Sequence, residues 1–190
     1  MGRPAEDGAS EIPTLCTARL RLRPHHRGDF AAACALWSDP YVTRFIGGRP
    51  FTREEVWARL LRYTGSWHWL GFGYWAVEEI SSGQFIGELG YAQNEREFEP
   101  PLTLVDPAGL PMPELGWVLA PQVHGKGYAT EAVRAALAWG DAHVSSSRAF
   151  CIIHPDHSAS IRVAEKCGFL EFARPFYQSE PTIAFTRRKM

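Results

Sequence analysis

The sequence predicts a single α/β domain in which a mixed β-sheet is covered by helices on both faces. The chain has 190 residues, enough for one well-buried domain, and 45% of them are hydrophobic. Strand-like and helix-like patterns alternate along it, which favours a layered α/β architecture. Residues 149–153 form a continuous apolar run, which is typical of a strand inside a sheet.

The N-terminal part predicts a leader and a first strand. Residues 1–13 are rich in small, polar and acidic residues without periodicity, so we expect a flexible leader there. A single domain would then occupy residues 14–190. Apolar and cationic residues alternate from 18 to 23 before a proline, which predicts a half-exposed strand.

Two helices are predicted next. Asp29 precedes an apolar stripe at helical spacing, and Ser-Asp-Pro at 38–40 ends it. Thr52 stands three residues before Glu55, the spacing of a capping box at a helix N-terminus. The apolar face of this second helix is predicted to contain Val56, Leu60, Leu61 and Tyr63.

A β-hairpin and a long loop follow. The apolar segments 74–80 and 85–91 flank a Ser-Ser-Gly cluster, which predicts two strands joined by a turn. Residues 94–113 contain five prolines and little periodicity, so we expect a long loop of the kind that often carries function.

The last third shows the clearest pattern, alternating strands and helices. Gly168 is in the position of a C-cap after the second of these helices. The predicted elements are strands at 114–119 and 149–153, helices at 127–143 and 158–166, and two final strands at 169–177 and 182–188.

Composition excludes several classes of protein. A net charge of −1 argues against nucleic acid as a partner, because a large phosphate footprint requires a basic excess. No segment approaches the apolar length of a transmembrane helix, so no membrane partner is expected. The four cysteines lack paired spacing, which predicts reduced thiols and a cytoplasmic location.

The most informative segment lies between the strand at 114–119 and the helix that follows. Helix N-termini expose unpaired N–H groups and a partial positive charge, which suit a phosphate. Glycines at 125 and 127 let the backbone turn sharply and approach an anion closely. The alternative is a tight turn whose glycines serve geometry alone.

Two other phosphate-binding motifs do not match this loop. A P-loop requires Ser or Thr after Gly-Lys, where Gly127 stands, and its first glycine is replaced by Ala120. A dinucleotide-binding fingerprint requires a third glycine, where Thr130 stands.

Three motifs in order resemble the GCN5-related N-acetyltransferase (GNAT) superfamily, nearest to its ribosomal-protein N-terminal acetyltransferase-like (RimJ/RimL-like) branch. They are the strand Glu-Leu-Gly-Trp-Val-Leu at 114–119, the Gln-x-x-Gly-x-Gly-x-Ala loop at 122–129, and His-Ser-Ala-Ser through Glu-Lys-Cys-Gly-Phe at 157–169. The resemblance extends from about residue 14 to the C-terminus. It implies a single-domain GNAT fold, a splayed mixed sheet flanked by helices on both faces.

The resemblance also implies an acetyl-CoA site in the gap between the strands at 114–119 and 149–154. Main-chain groups of Val118 and Ala120 would pair with the pantetheine arm, and backbone N–H groups from His124 to Ala129 would hold the pyrophosphate. Thr130 would add a hydroxyl, and Lys126 would lie either against the 3′-phosphate or in water. The implied cofactor-binding residues are Val118, Ala120, Gln122, His124, Gly125, Lys126, Gly127, Tyr128, Ala129, Thr130 and His157.

Amine acetylation requires a neutral amine and a proton for the departing thiolate, which directs attention to carboxylates and hydroxyls. By resemblance, Glu114 is the candidate base and Ser160 the candidate partner of the CoA sulfur; the alternatives are a surface carboxylate and a helix-capping serine. Glu88, on the neighbouring predicted strand, is a weaker candidate for the base and is expected on the surface. The family's usual tyrosine is Ala164 here, and its usual asparagine is His157, a ring with one donor and one acceptor.

The implied activity is direct transfer of an acetyl group to a primary amine, on a protein N-terminus or a small molecule. The alternative is a non-catalytic acyl-CoA-binding or sensing domain of the same fold. The enzyme is expected as a monomer or homodimer. No metal is expected, because strand alternation points Cys151 and His154 to opposite faces.

Overall fold

A computed structural model describes residues 11–189, so residues 1–10 of the expected leader lie outside the described part. The helices are α1 (Phe30–Trp37), α2 (Pro40–Thr43), α3 (Arg53–Leu70), α4 (Tyr128–His143) and α5 (Ser158–Lys166). The strands are β1 (Leu15–Cys16), β2 (Leu20–Arg23), β3 (Tyr74–Glu79), β4 (Gln84–Ala92), β5 (Phe98–Glu99), β6 (Glu114–Leu119), β7 (Arg148–Ile153), β8 (Leu170–Ala173), β9 (Phe176–Tyr177), β10 (Glu180–Pro181) and β11 (Ile183–Arg188). Ile12 packs against the core, so packed chain begins within the predicted leader.

The main sheet confirms the predicted mixed architecture. Its strand order is β1-β2-β3-β4-β6-β7-β11-β8. Neighbours are antiparallel except β6 and β7, which are parallel and pair only at Glu114 and Phe150. Beyond that pair the two strands diverge, so the sheet is splayed in its middle. A small sheet, in the order β10-β9-β5, lies apart from it.

Helices cover both faces of the main sheet, as predicted. On one face α4 and α5 bury residues such as Val133 and Ala164 in the principal core. On the other face α1 and α3 form a second cluster around Trp37, Leu60 and Tyr63. Central strands such as β4 are therefore buried on both sides.

Local signals set the helix boundaries. Thr52 Oγ1 accepts the N–H of Glu55, and the Glu55 carboxylate accepts the N–H of Thr52, so the predicted capping box is present. α3 ends where Gly71 adopts a left-handed conformation with φ 71°. Leu61, predicted on the apolar face, is 56% exposed, because the buried stripe follows Leu60 and Tyr63 instead. That part of the prediction is wrong.

The C-terminal region differs from the two strands predicted there. Four short strands, β8 to β11, occupy it. Gln178 and Ser179 both have positive φ, so the chain turns sharply between β9 and β10. Among residues 11–189, no helix is both long and apolar enough to cross a bilayer.

Candidate active site

The divergence of β6 and β7 opens a cleft of about 930 Å³, which we call the central cleft. Both strands contribute to its lining, as do α3 and the first turn of α5. The segments 44–48, 92–96 and 177–182 complete its walls. The cleft therefore lies where two parallel strands leave their edges unpaired, with α1 and α3 on one side.

A glycine loop leads from β6 to the N-terminus of α4. Gly125 and Gly127 have φ of 76° and 80°, a left-handed conformation that favours glycine. Gly127 is the N-cap of α4 and supplies no side-chain cap, so the first N–H groups of this 16-residue helix have no side-chain partner at the cap. A Cβ at Gly125 would meet nothing within 4 Å, so the approach to this loop is open.

The side chains of the loop have varied surroundings. His124 Nε2 lies 2.8 Å from the carbonyl oxygen of Leu119, which fixes the turn. Gln122 and Lys126 are exposed, whereas Tyr128 is buried and donates its hydroxyl to Glu79 at 2.7 Å. Ala129 and Thr130 lie half-buried in the first turn of α4.

The main-chain groups of Val118 and Ala120 are directed toward β4. The Ala120 N–H donates to Ile86 O at 2.9 Å, its carbonyl accepts the N–H of Val123, and Val118 pairs with Glu88. Alternation along a strand then turns the main-chain groups of Trp117 and Leu119 toward the β7 side. The expectation that the main-chain groups of Val118 and Ala120 pair with a pantetheine arm is therefore corrected, because both are turned toward β4.

Glu114 lines the central cleft and is 6% exposed. Its Oε2 accepts from Arg96 Nε at 2.6 Å and from Asn94 Nδ2 at 2.9 Å, and its Oε1 accepts from an Arg96 terminal nitrogen at 2.9 Å. Arg96 also lies over the ring of Tyr177. Glu114 is thus an anchored carboxylate rather than the exposed strand-end residue considered as its alternative.

Ser160 and His157 meet in the cleft at the start of α5. Ser160 Oγ is 3.3 Å from His157 Nε2. The His157 ring stacks on Phe45 with centroids 4.7 Å apart. Burial lowers the pKa of His157 to about 4, so the imidazole is neutral at pH 7. Ala164 is fully buried and offers no hydroxyl.

Glu88 is the principal correction to the sequence-based site. It was expected on the surface, but it is 0% exposed, because β4 is a central strand with helices on both faces. Trp37 Nε1 and the Tyr63 hydroxyl donate to its Oε2, and both residues line the cleft. The sequence did contain a signal for this burial, because Glu88 stands in the middle of a predicted hairpin strand within a sheet predicted to be covered on both faces.

Two tyrosines of the cleft also escaped the sequence-based prediction. The rings of Tyr63 and Tyr74 stack in parallel, with centroids 4.4 Å apart. A Cβ at Gly116 would overlap the Tyr74 hydroxyl, so this glycine gives the phenol its place on the sheet. Among residues 11–189, no cluster of three or more His, Cys, Asp or Glu side chains could hold a metal ion.

Comparison with known proteins identifies relatives along most of the chain. A family model for the acetyltransferase (GNAT) domain matches residues 19–170. The uncharacterized N-acetyltransferase YnaD of Bacillus subtilis (strain 168) is 38% identical over 154 residues, 81% of each chain. A GnaT-family acetyltransferase structure from Bordetella pertussis is 27% identical with a TM-score of 0.77, covering 93% of this chain and 99% of that one.

One more distant structure shares the fold. Spermidine N-acetyltransferase from Vibrio cholerae, solved in complex with CoA and spermine, has a TM-score of 0.69. It is 17% identical, and the match covers 91% of this chain and 97% of that one.

Proposed function

The chain belongs to the acetyltransferase (GNAT) family and is an N-acetyltransferase, and we propose that it transfers the acetyl group of acetyl-CoA directly to a primary amine. The acceptor is a small molecule or a protein N-terminus. The proposed domain is the single one at 14–190, and the proposed location is cytoplasmic.

The observation that carries this proposal is the junction of the β6–β7 opening with the uncapped N-terminus of α4. An extended chain with a pyrophosphate at one end and a thioester at the other fits such a junction. Backbone N–H groups around Gly125 and Gly127 suit the diphosphate, because both glycines hold the loop in a left-handed conformation. The extended arm would then run between the diverging strands, against the main chain of Trp117 and Leu119.

The proposed cofactor-binding residues can be grouped by the kind of contact that each would make with acetyl-CoA. Backbone N–H groups of His124, Gly125, Lys126, Gly127, Tyr128 and Ala129 would hold the diphosphate, with Thr130 adding its hydroxyl. The exposed Gln122 and Lys126 are free to meet the ribose phosphate region. His157 would contact the arm from α5. Val118 remains in the set through its side chain, which packs beside the cleft.

The proposed chemistry is one displacement at the thioester carbonyl. The amine nitrogen attacks the carbonyl carbon, the C–S bond breaks, and the thiolate takes a proton. Ser160 is proposed to hold the sulfur, because its hydroxyl lies in the cleft beside a neutral His157. Glu114 is proposed to fix the acceptor-side wall, since Arg96 and Asn94 already occupy three of its acceptor positions.

The test is release of free CoA. The protein is mixed with acetyl-CoA and a panel of acceptors, namely spermidine, free amino acids and short peptides with free N-termini, and the thiol is measured with a chromogenic disulfide. We expect turnover with at least one class of amine, and Ser160→Ala lowers kcat while CoA affinity is kept. Tight CoA binding without turnover on any acceptor would favour the non-catalytic alternative instead.

A further inference from the structure

Glu88 is a buried carboxyl with an incomplete set of hydrogen bonds. Its Oε2 accepts from Trp37 Nε1 at 3.0 Å and from the Tyr63 hydroxyl at 3.1 Å. Its Oε1 is buried as well, and no residue of the described chain donates to it. Such an unpaired acceptor in a core costs free energy, which a merely structural carboxyl would avoid.

The Tyr63 hydroxyl connects this carboxyl to the central cleft. Tyr63 and Arg59 both line the cleft, and an Arg59 terminal nitrogen donates to the Tyr63 oxygen at 3.1 Å. Tyr63 therefore donates to Glu88 and accepts from Arg59, which leaves its oxygen one further acceptor position. Stacking on Tyr74 holds the Tyr63 ring in place.

The groups around Glu88 allow its charge to change near neutral pH. Arg59 and Tyr63 face it from α3, Trp37 from α1, and Asp29 from the turn before α1. Burial raises the pKa of Glu88 to about 7, whereas Arg59 and the hydrogen bonds from Trp37 and Tyr63 lower it. A carboxyl with this pKa can take up and release a proton under working conditions.

We propose that Glu88 accepts, through the hydroxyl of Tyr63, the proton that the acceptor ammonium loses before acetyl transfer. This inference rests on the proposed function. An N–H bond of the ammonium breaks as an O–H bond forms at Tyr63, and the original hydroxyl proton of Tyr63 passes to the Glu88 carboxylate. The neutral amine then attacks the thioester.

The remaining protons balance. After the C–N bond forms, the nitrogen gives a second proton to the thiolate and keeps the third as the amide N–H. Glu88 ends protonated and returns its proton to water through the same hydroxyl. Glu114 is less suited to this step, because Arg96 and Asn94 donate three hydrogen bonds to its oxygens whereas Oε1 of Glu88 receives none.

The test compares the pH dependence of kcat/KM for four variants, using the panel acceptor with the highest turnover. In the wild type we expect kcat/KM to rise with pH to a plateau, with an inflection near the Glu88 pKa of about 7. Glu88→Gln and Tyr63→Phe lose that inflection and about 100-fold in kcat/KM, the order expected for lost general base catalysis. The acceptor's own pKa is common to all variants and cancels in the comparison.

Two matched variants separate proton transfer from packing. Trp37→Phe removes the other hydrogen bond to the same Glu88 oxygen, so it keeps the inflection and moves it to higher pH. Tyr91→Phe removes a buried tyrosine hydroxyl on the opposite face of the sheet and leaves the profile unchanged. If Tyr63→Phe behaves like Trp37→Phe, or if Glu88→Gln keeps the inflection, the proposal is overturned.

A measurement that does not depend on turnover distinguishes failure of the Glu88 proposal from failure of the proposed function. The infrared carbonyl band of a protonated carboxylic acid is followed from about pH 5 to about pH 9. We expect a band that disappears near pH 7 in the wild type and is missing in Glu88→Gln. In Tyr63→Phe the band persists and titrates at higher pH, because the lost hydrogen bond had lowered the pKa of Glu88. A band that fails to titrate overturns the inference whatever the activity. A titrating band in a protein that turns over no acceptor refutes the proposed function and, with it, the proton transfer.

Discussion

Replacing Glu88 with Gln should change the pH dependence of stability in a direction and size that follow from its burial. Glu88 is fully buried, and its pKa rises from 4.5 to about 7 in the folded protein. The folded chain therefore holds a proton on Glu88 over a pH range where the unfolded chain has released it. The wild type loses stability as the pH rises from 4.5 to about 7.

The size of the effect follows from the pKa difference. At roughly 1.4 kcal/mol per pH unit, the full loss is about 3 kcal/mol, of which about 2.5 kcal/mol falls between pH 5 and pH 8. Gln has no charge to gain, so the free energy of unfolding of Glu88→Gln minus that of the wild type should rise by this amount over the interval. Any cost of the unpaired Gln amide is independent of pH and cancels.

The assay is urea unfolding at about pH 5 and about pH 8, analysed by linear extrapolation for both proteins. Glu79→Gln is a matched control at the end of the neighbouring strand. Hydrogen bonds from Ser82 and Tyr128 lower the pKa of Glu79, so this carboxylate is ionised in the folded protein and mostly ionised in the unfolded chain throughout that range. Its difference from the wild type should stay constant. A similarly flat difference for Glu88→Gln would refute the assignment of a raised pKa.

Three further outcomes are expected. Gly127→Ala places a side chain on a left-handed residue, so it should weaken CoA binding and lower the free energy of unfolding by about 1 kcal/mol. Its control is Gly83→Ala, in a hairpin turn with φ 67°, which should cost similar stability but leave the Kd for CoA, measured by calorimetry, unchanged. Ser160→Ala should lower kcat by about 10-fold or more with an unchanged Kd for CoA, and equal kcat would exclude its role at the sulfur. Thr52→Ala removes the α3 cap and should cost about 1 kcal/mol in urea unfolding, with kcat/KM unaffected.

The sequence predicted those features that neighbouring residues specify. The capping box at Thr52 depends on a residue three positions away, and α5 begins and ends where its apolar spacing and Gly168 predict. The glycine loop before α4 was predictable for the same reason, because a left-handed backbone favours glycine at 125 and 127 wherever the segment lies. The three motifs at 114–119, 122–129 and 157–169 were enough to indicate the family by resemblance.

The chemical environment of the site required the tertiary structure. Glu114 is 18 residues from Arg96 along the chain, and Glu88 is 25 residues from Tyr63 and 51 from Trp37. No local pattern encodes these contacts, because they depend on which loop and which helices pack against each strand of the sheet. The sequence by itself therefore determined the splayed α/β fold, through its resemblance to the acetyltransferase family, and the glycine loop before α4. The tertiary structure decided the rest, because the segment 94–96 anchors Glu114 and the packing of α1 and α3 on β4 buries Glu88 with an unpaired oxygen.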